Sequence, residues 1–251
     1  MLYAALTFWL LVIVFSAAGV HRLWSNLIKP RVVNSILLPG TLVAQLGHVL
    51  GLLITGNSVQ NTKLMGDDEA GEPTSDTPDR QRIPVIGPIL VGLLPLVACG
   101  VCLYVAASYW GGAILNGLDL QAGGVSAELP RTLPGWWDLL RGSITLTENV
   151  LAAVLQANLL NWVTLLFLYL TVCLTVRMAP FEGNRRGAIG AILLAGVVIA
   201  VVGSLSQVAE QSIRSSWPIL SYAVAALLFL LLASLLVSGL VGLIRILAGK
   251  E

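Results

Sequence analysis

Apolar residues recur along this chain in long, almost unbroken runs, not in the alternating or one-faced patterns of a water-soluble fold. The runs are Leu2–Val20, Ile36–Thr55, Ile83–Tyr109, Val150–Val176, Ala188–Val208 and Pro218–Leu247. About 20 mostly apolar residues in helical conformation cross the hydrocarbon core of a bilayer, and a helix satisfies its own backbone hydrogen bonds there. The pattern therefore predicts an all-α fold, a polytopic transmembrane helical bundle of about six spans, forming a single membrane domain over residues 1–251. The third and sixth runs exceed the minimum, which predicts tilt or extension past the lipid. The first run lacks the positive n-region of a signal peptide and reads as the first span. The second is the most polar and broken of the set, with Pro39, Gly40, Gln45, Gly47, His48 and Gly51, and belongs inside a bundle, shielded by neighbours.

The segments between the runs differ in character. Residues 21–34 are basic, through Arg22, Lys29 and Arg31. Residues 56–82 form an acidic, flexible loop in which Asp67, Asp68, Glu69, Glu72, Asp76 and Asp79 stand among turn formers. Their spacing lacks the ordered ligand positions of an EF-hand, so a solvated loop is expected. Residues 110–149 read as an interfacial loop containing a short helix, Pro134–Arg141, with Trp136 and Trp137 as interfacial anchors. With six spans, Lys63, Arg80, Arg82, Arg177, Arg185, Arg186, Arg245 and Lys250 share one side and Arg22, Lys29, Arg31, Arg131, Arg141 and Arg214 the other. The positive-inside rule then puts both termini in the cytoplasm of a multi-pass protein of bacterial inner-membrane type.

Composition narrows the functional classes. Charged residues make up 11% of the chain, against about 25% in soluble domains, so most of the chain must avoid water. A net charge of +1 supplies no field to draw nucleic acid. Cys99, Cys102 and Cys173 all lie in apolar runs. No second C-x-x-C or neighbouring His completes a metal site with Cys99 and Cys102, and small buried helix residues are the expectation. Small residues repeat every four positions at Gly187, Ala191 and Ala195, and again at Ser234, Ser238 and Gly242. Such stripes let helix backbones approach closely, and packing within one subunit is favoured over a dimer interface.

A titratable group at membrane depth needs a reason, and His48 is one. Around it the chain reads Ala44-Gln45-Leu46-Gly47-His48. This stretch resembles the helix of zinc-dependent intramembrane metalloproteases of the site-two-protease type, which carries H-E-x-x-H. There two His at i and i+4 bind Zn²⁺ and the Glu is general base to the zinc-bound water. Ala44 stands at the place of the first His and Gln45 at that of the Glu, while His48 keeps the second His. The Gly/Pro-rich Ile86–Pro95 stretch is similar to the helix that follows in some members. The loop Arg177–Gly187, with Asn184 and Glu182, is similar to one that carries a carboxylate there.

Alanine cannot ligate metal and glutamine cannot accept a proton at neutral pH. Three readings of the helix stand: descent from a protease that lost its ligands, a chance match, or zinc held with ligands from elsewhere. Gln45 and His48 share a face at i, i+3, and Asn158 and Asn161 are candidate partners in a polar cluster within the bundle. The expectation is a non-catalytic integral membrane subunit: a pseudoprotease scaffold with no catalytic residue, metal or cofactor. Its partners would be the lipid bilayer and other membrane proteins, in a hetero- or homo-oligomeric complex. A transporter or channel using the broken second span is the alternative, and an active intramembrane zinc protease a further one.

Overall fold

A computed structural model of the protein describes residues 2–57, 59, 63, 86–118, 124–179, 190, 192, 193, 196, 197 and 207–247. Its regular elements are helices: α1 (Leu2–Leu27), α2 (Pro30–Ile36), α3 (Leu38–Ile54), α4 (Ile86–Trp110), α5 (Gly112–Leu115), α6 (Leu133–Gln156), α7 (Trp162–Val176) and α8 (Gln207–Leu247). Among the described residues, three segments are long and apolar enough to cross a membrane: Leu2–Leu27, Leu90–Trp110 and Glu210–Ile244. The α2–α3 pair makes a fourth if it is counted as one broken span.

α1 and α8 run side by side in the same direction. Near the start of α1, Trp9 Nε1 donates to the Ser126 carbonyl (2.9 Å). The adjoining Val125 is held by α8, its carbonyl accepting from Trp217 Nε1 (2.7 Å) and its N–H donating to Ser221 Oγ (3.1 Å). Towards the end of α1, Gly19 lies against Leu231 and Trp24 Nε1 donates to Ser234 Oγ (2.7 Å). The core between them and α7 is filled by Trp9, Ile13, Phe167, Tyr222 and Leu227. The rings of Phe167 and Tyr222 stack at 5.8 Å.

The second apolar run does not form one helix. α2 and α3 meet at Leu37 with a bend of 75°. Proline explains the break: Pro39 has no N–H to donate, and its ring would strike the carbonyl of Ser35 in a continuous helix. Its fixed φ suits the first turn of the new helix, where it sits. α3 ends in a Schellman motif at Gly56, whose φ is 73°. Asn57 N–H reaches the Leu52 carbonyl (2.9 Å) and Gly56 N–H that of Leu53 (3.0 Å).

The expected span over 150–176 is corrected. α6 stops at Gln156 and α7 begins at Trp162, so two helices share that run. Ala157 is extended (ψ 148°), and Asn161 caps α7 by accepting from Val163 N–H (3.0 Å). An asparagine can satisfy an orphan N–H at a helix start, which favours a restart here over continuation. The loop expected over 110–149 is likewise largely helical. Thr132 caps α6 by accepting from Gly135 N–H (3.3 Å). Leu139, Ser143, Leu146 and Val150 then supply a buried stripe at helical spacing that carries the helix well past Arg141. Of the run 188–208, residues 190, 192, 193, 196, 197, 207 and 208 are described and helical, the last two opening α8, with Ile192 buried and Gly196 against Thr7 of α1. Most of the acidic loop 56–82 lies outside the described residues.

Candidate functional site

The stretch of α3 that carries Gln45 and His48 is packed against α4. Gly47 and Gly51, one turn apart, make this possible. A Cβ on Gly47 would lie 2.7 Å from the Leu94 carbonyl oxygen and 2.8 Å from Pro95 Cα. One on Gly51 would lie 2.9 Å from Val91 Cα. As α3 advances, its contacts retreat along α4, so the two helices are antiparallel at backbone contact. Their approach is the small-residue packing expected of membrane helices.

His48 and Gln45 are both buried on α3, at 2% and 4% exposure, and Ala44 is fully buried. Gln45 Nε2 donates to the Lys63 carbonyl (2.6 Å), tying the segment beyond α3 back to the bundle. These residues do not fit a zinc centre. The side chain in the first ligand position is a methyl group packed in the core, and the amide in the base position is spent on a backbone carbonyl. Among the described residues no three His, Cys, Asp or Glu gather closely enough to hold a metal ion.

Asn158 and Asn161 do not join this cluster. Both are exposed and both cap backbone N–H groups locally, those of Leu160 (3.1 Å) and Val163 (3.0 Å). Trp136 and Trp137 part company: Trp136 packs edge-to-face on Phe8 (5.5 Å), while Trp137 is 62% exposed. Ser234 Oγ of the α8 stripe accepts from Trp24 Nε1 within the subunit (2.7 Å). A Cβ on Gly242 of the same stripe meets nothing within 4 Å. Gly187, Ala191 and Ala195 lie outside the described residues.

A different polar centre forms where α1, α2 and α7 converge. Arg177, at the C-cap of α7, is only 6% exposed, and its Nη2 donates to Asn34 Oδ1 (2.7 Å). His21 Nε2 lies 3.2 Å from the same oxygen. Arginine has donors only, so the Asn34 atom facing it must be the carbonyl oxygen. The imidazole nitrogen meeting that oxygen therefore carries a hydrogen. A cation at this place also faces the carbonyl end of α7, which the helix dipole favours.

The same centre clamps the α2–α3 break. The carbonyl of Ile36, released by the bend, accepts from Tyr169 OH (2.8 Å) and from Cys173 Sγ (3.4 Å), both on α7. Gly40 of α3 fits against the Cys173 carbonyl and Arg177 Cγ, where any side chain would collide. From the sequence, Arg177 falls in the loop Arg177–Gly187, and His21 and Asn34 fall in the basic segment 21–34. The available signal was an arginine directly abutting the apolar run that ends at Val176.

Comparison with protein-family models, with curated proteins and with solved structures yields no match in any of the three.

Proposed function

We propose that this chain is a non-catalytic integral membrane subunit, a protease-like scaffold that packs against other membrane proteins. The observation that carries the reading is the seam between α3 and α4. The helix on which a metalloprotease would present ligands lies against α4, whose backbone comes within contact distance of a Cβ at Gly47 and Gly51. Helical order is kept where the chemistry is missing, which is what a retained structural role requires. The C-terminal half of α8 offers a surface for partners: Leu235, Leu236, Leu240, Leu243 and Ile244 are all exposed. Purification in mild detergent followed by native mass spectrometry tests the proposal, with a defined membrane-protein partner in fixed stoichiometry as the expected result. A monodisperse chain without a partner overturns it. So does stoichiometric zinc that is lost in His48→Ala.

The parallel course of α1 and α8 favours an odd number of crossings. Counting α7 and the apolar sequence 188–208 beside α1, α4 and α8 gives five, with α2–α3 entering and leaving on the side where α1 ends. α7 is short for the task, since fifteen residues rise about 22 Å against about 30 Å of hydrocarbon. Its start at the capped Asn161 brings polar residues close to the interface. Reporter fusions at the start of α1 and the end of α8 should fall on opposite sides of the membrane. Reporters on one side would restore an even count, as six spans require.

A second reading rests on the break itself. A bent helix pair with a buried arginine beside a released carbonyl is the kind of discontinuity that lines substrate paths in transporters. Flux of a solute across proteoliposomes, abolished in Arg177→Met, would support it over the scaffold. Absence of flux under an imposed ion or solute gradient would remove it.

A further inference from the structure

A groove of about 500 Å³ opens between α1, α4 and α8, the three helices apolar enough to span. α8 changes character along this wall. Its first turns carry Glu210, Gln211, Ser212, Arg214, Ser215 and Ser216, and the Glu210–Arg214 ion pair (2.8 Å) is largely exposed. From Trp217 to Ile244 no charged residue occurs. Trp217 itself is held by the Val125 carbonyl, in the segment that leads into the amphipathic α6. α8 has 41 residues and is therefore about 60 Å long, roughly twice the hydrocarbon thickness. Trp217 thus marks the level at which the helix passes from the headgroup region into hydrocarbon.

The groove straddles that level. Ser212 and Ser216 form its outer end, and Ser216 Oγ donates to the Ser212 carbonyl (3.0 Å). Leu220 and Ala223 of α8 face Leu10 and Ile13 of α1 along its inner part. On α4 the wall includes Gly100, where a Cβ would meet nothing within 4 Å, so the floor is open by the absence of a side chain. Protein interiors are close-packed, and an apolar space of this kind is not held by water. A helix is about 10 Å across, so even two turns of a partner helix need more room than the groove offers. A single hydrocarbon chain does not.

The geometry points to a phospholipid site. One acyl chain of a bilayer lipid lies in the groove between α1, α4 and α8, with its headgroup at the level of Ser212 and Ser216. The site is independent of the scaffold reading and requires only that these three helices span the membrane. It makes one lipid part of the folded subunit, in contrast to the exchanging annulus that wets the C-terminal half of α8.

The test uses the full chain, washed in detergent and examined by native mass spectrometry. The expected result is one phospholipid retained per chain, lost in Gly100→Phe and kept in Gly239→Phe. Gly239 also has open space at its Cβ but lies outside the groove. In parallel, the unaltered chain is reconstituted with a phospholipid bearing a photoactivatable group at its acyl terminus, washed identically and illuminated. Crosslinks should fall within residues 6–13, 96–104 and 212–223 or at Met178, a readout that holds even where Gly100→Phe does not fold. No retained lipid, equal retention by a folded Gly100→Phe, crosslinks elsewhere, or loss of a co-purifying polypeptide in place of lipid would each overturn the site.

Discussion

The α3–α4 seam and the C-terminal half of α8 carry the same kind of sequence signal and use it differently. Gly47 and Gly51 on α3 stand four apart, as do Ser234, Ser238 and Gly242 on α8. At the seam the glycines are spent within the chain, on backbone contact with Val91, Leu94 and Pro95. On α8 only Ser234 is engaged, while Gly239 and Gly242 look onto open space among exposed leucines. In lipid there is little hydrophobic force between helices, so close approach is decided by shape and by hydrogen bonds. Spacing of small residues marks where an approach is possible. It does not say which helix answers, or whether the answering helix belongs to the same chain.

Enlarging the two sets of glycines separates them most sharply. Gly47→Leu should be the most damaging change, since backbone cannot yield as a side chain can. A loss of about 3 kcal/mol or more is expected, read as a collapse of the thermal unfolding temperature in detergent. A tolerated Gly47→Leu would mean that the seam is looser than its geometry. Next comes Arg177→Met, which removes the charged donor to the buried Asn34 oxygen. Hydrogen bonds to charged groups contribute about 1.5–3 kcal/mol, and a loss in that range should appear in the same measurement. Trp24→Phe deletes the bond to Ser234 that closes the upper end of the α1–α8 pair. About 0.6–1 kcal/mol is expected, as for side-chain hydrogen bonds between membrane helices. Gly242→Leu should leave the stability of the isolated chain within about 0.5 kcal/mol, as a surface change does. Should Gly242→Leu instead release a partner chain without destabilising the subunit, the α8 stripe is an intermolecular counterpart of the seam.

Much of the membrane architecture could be read from the chain because lipid imposes a length and a polarity on each span. Leu2–Val20 lies within α1, and the run ending at Tyr109 within a residue of the end of α4. Pro39 and Gly40 mark the break, although a proline in a sequence announces a kink without giving its angle. The division at 157–161 was harder to see, because Leu159, Leu160 and Trp162 keep the run apolar while Asn158 and Asn161 turn the backbone. Apolarity and helicity part company there, and a hydropathy pattern records only the first. The polar centre was hidden for another reason. Arg177 lies 143 residues beyond Asn34, and Asn34 lies 13 beyond His21; each taken alone reads as an ordinary residue at the edge of a span. Gln45 and His48 stood out in the sequence, yet their setting did not: that Gln45 would reach the Lys63 carbonyl depends on how the chain returns after α3.

The clamp on the Ile36 carbonyl sets an order of events during biosynthesis. Its two donors, Tyr169 and Cys173, lie 133 and 137 residues further along the chain. When α2 and α3 first leave the ribosome, neither exists. A seven-residue helix is too short to be taken up as a span on its own, and a bare carbonyl in hydrocarbon costs several kcal/mol. The bent pair must therefore wait at the membrane surface or in the shelter of an insertion factor until α7 has been made. α7 is the keystone of assembly, so a Tyr169→Phe chain would reach its mature form late and would be exposed longer to membrane quality-control proteases.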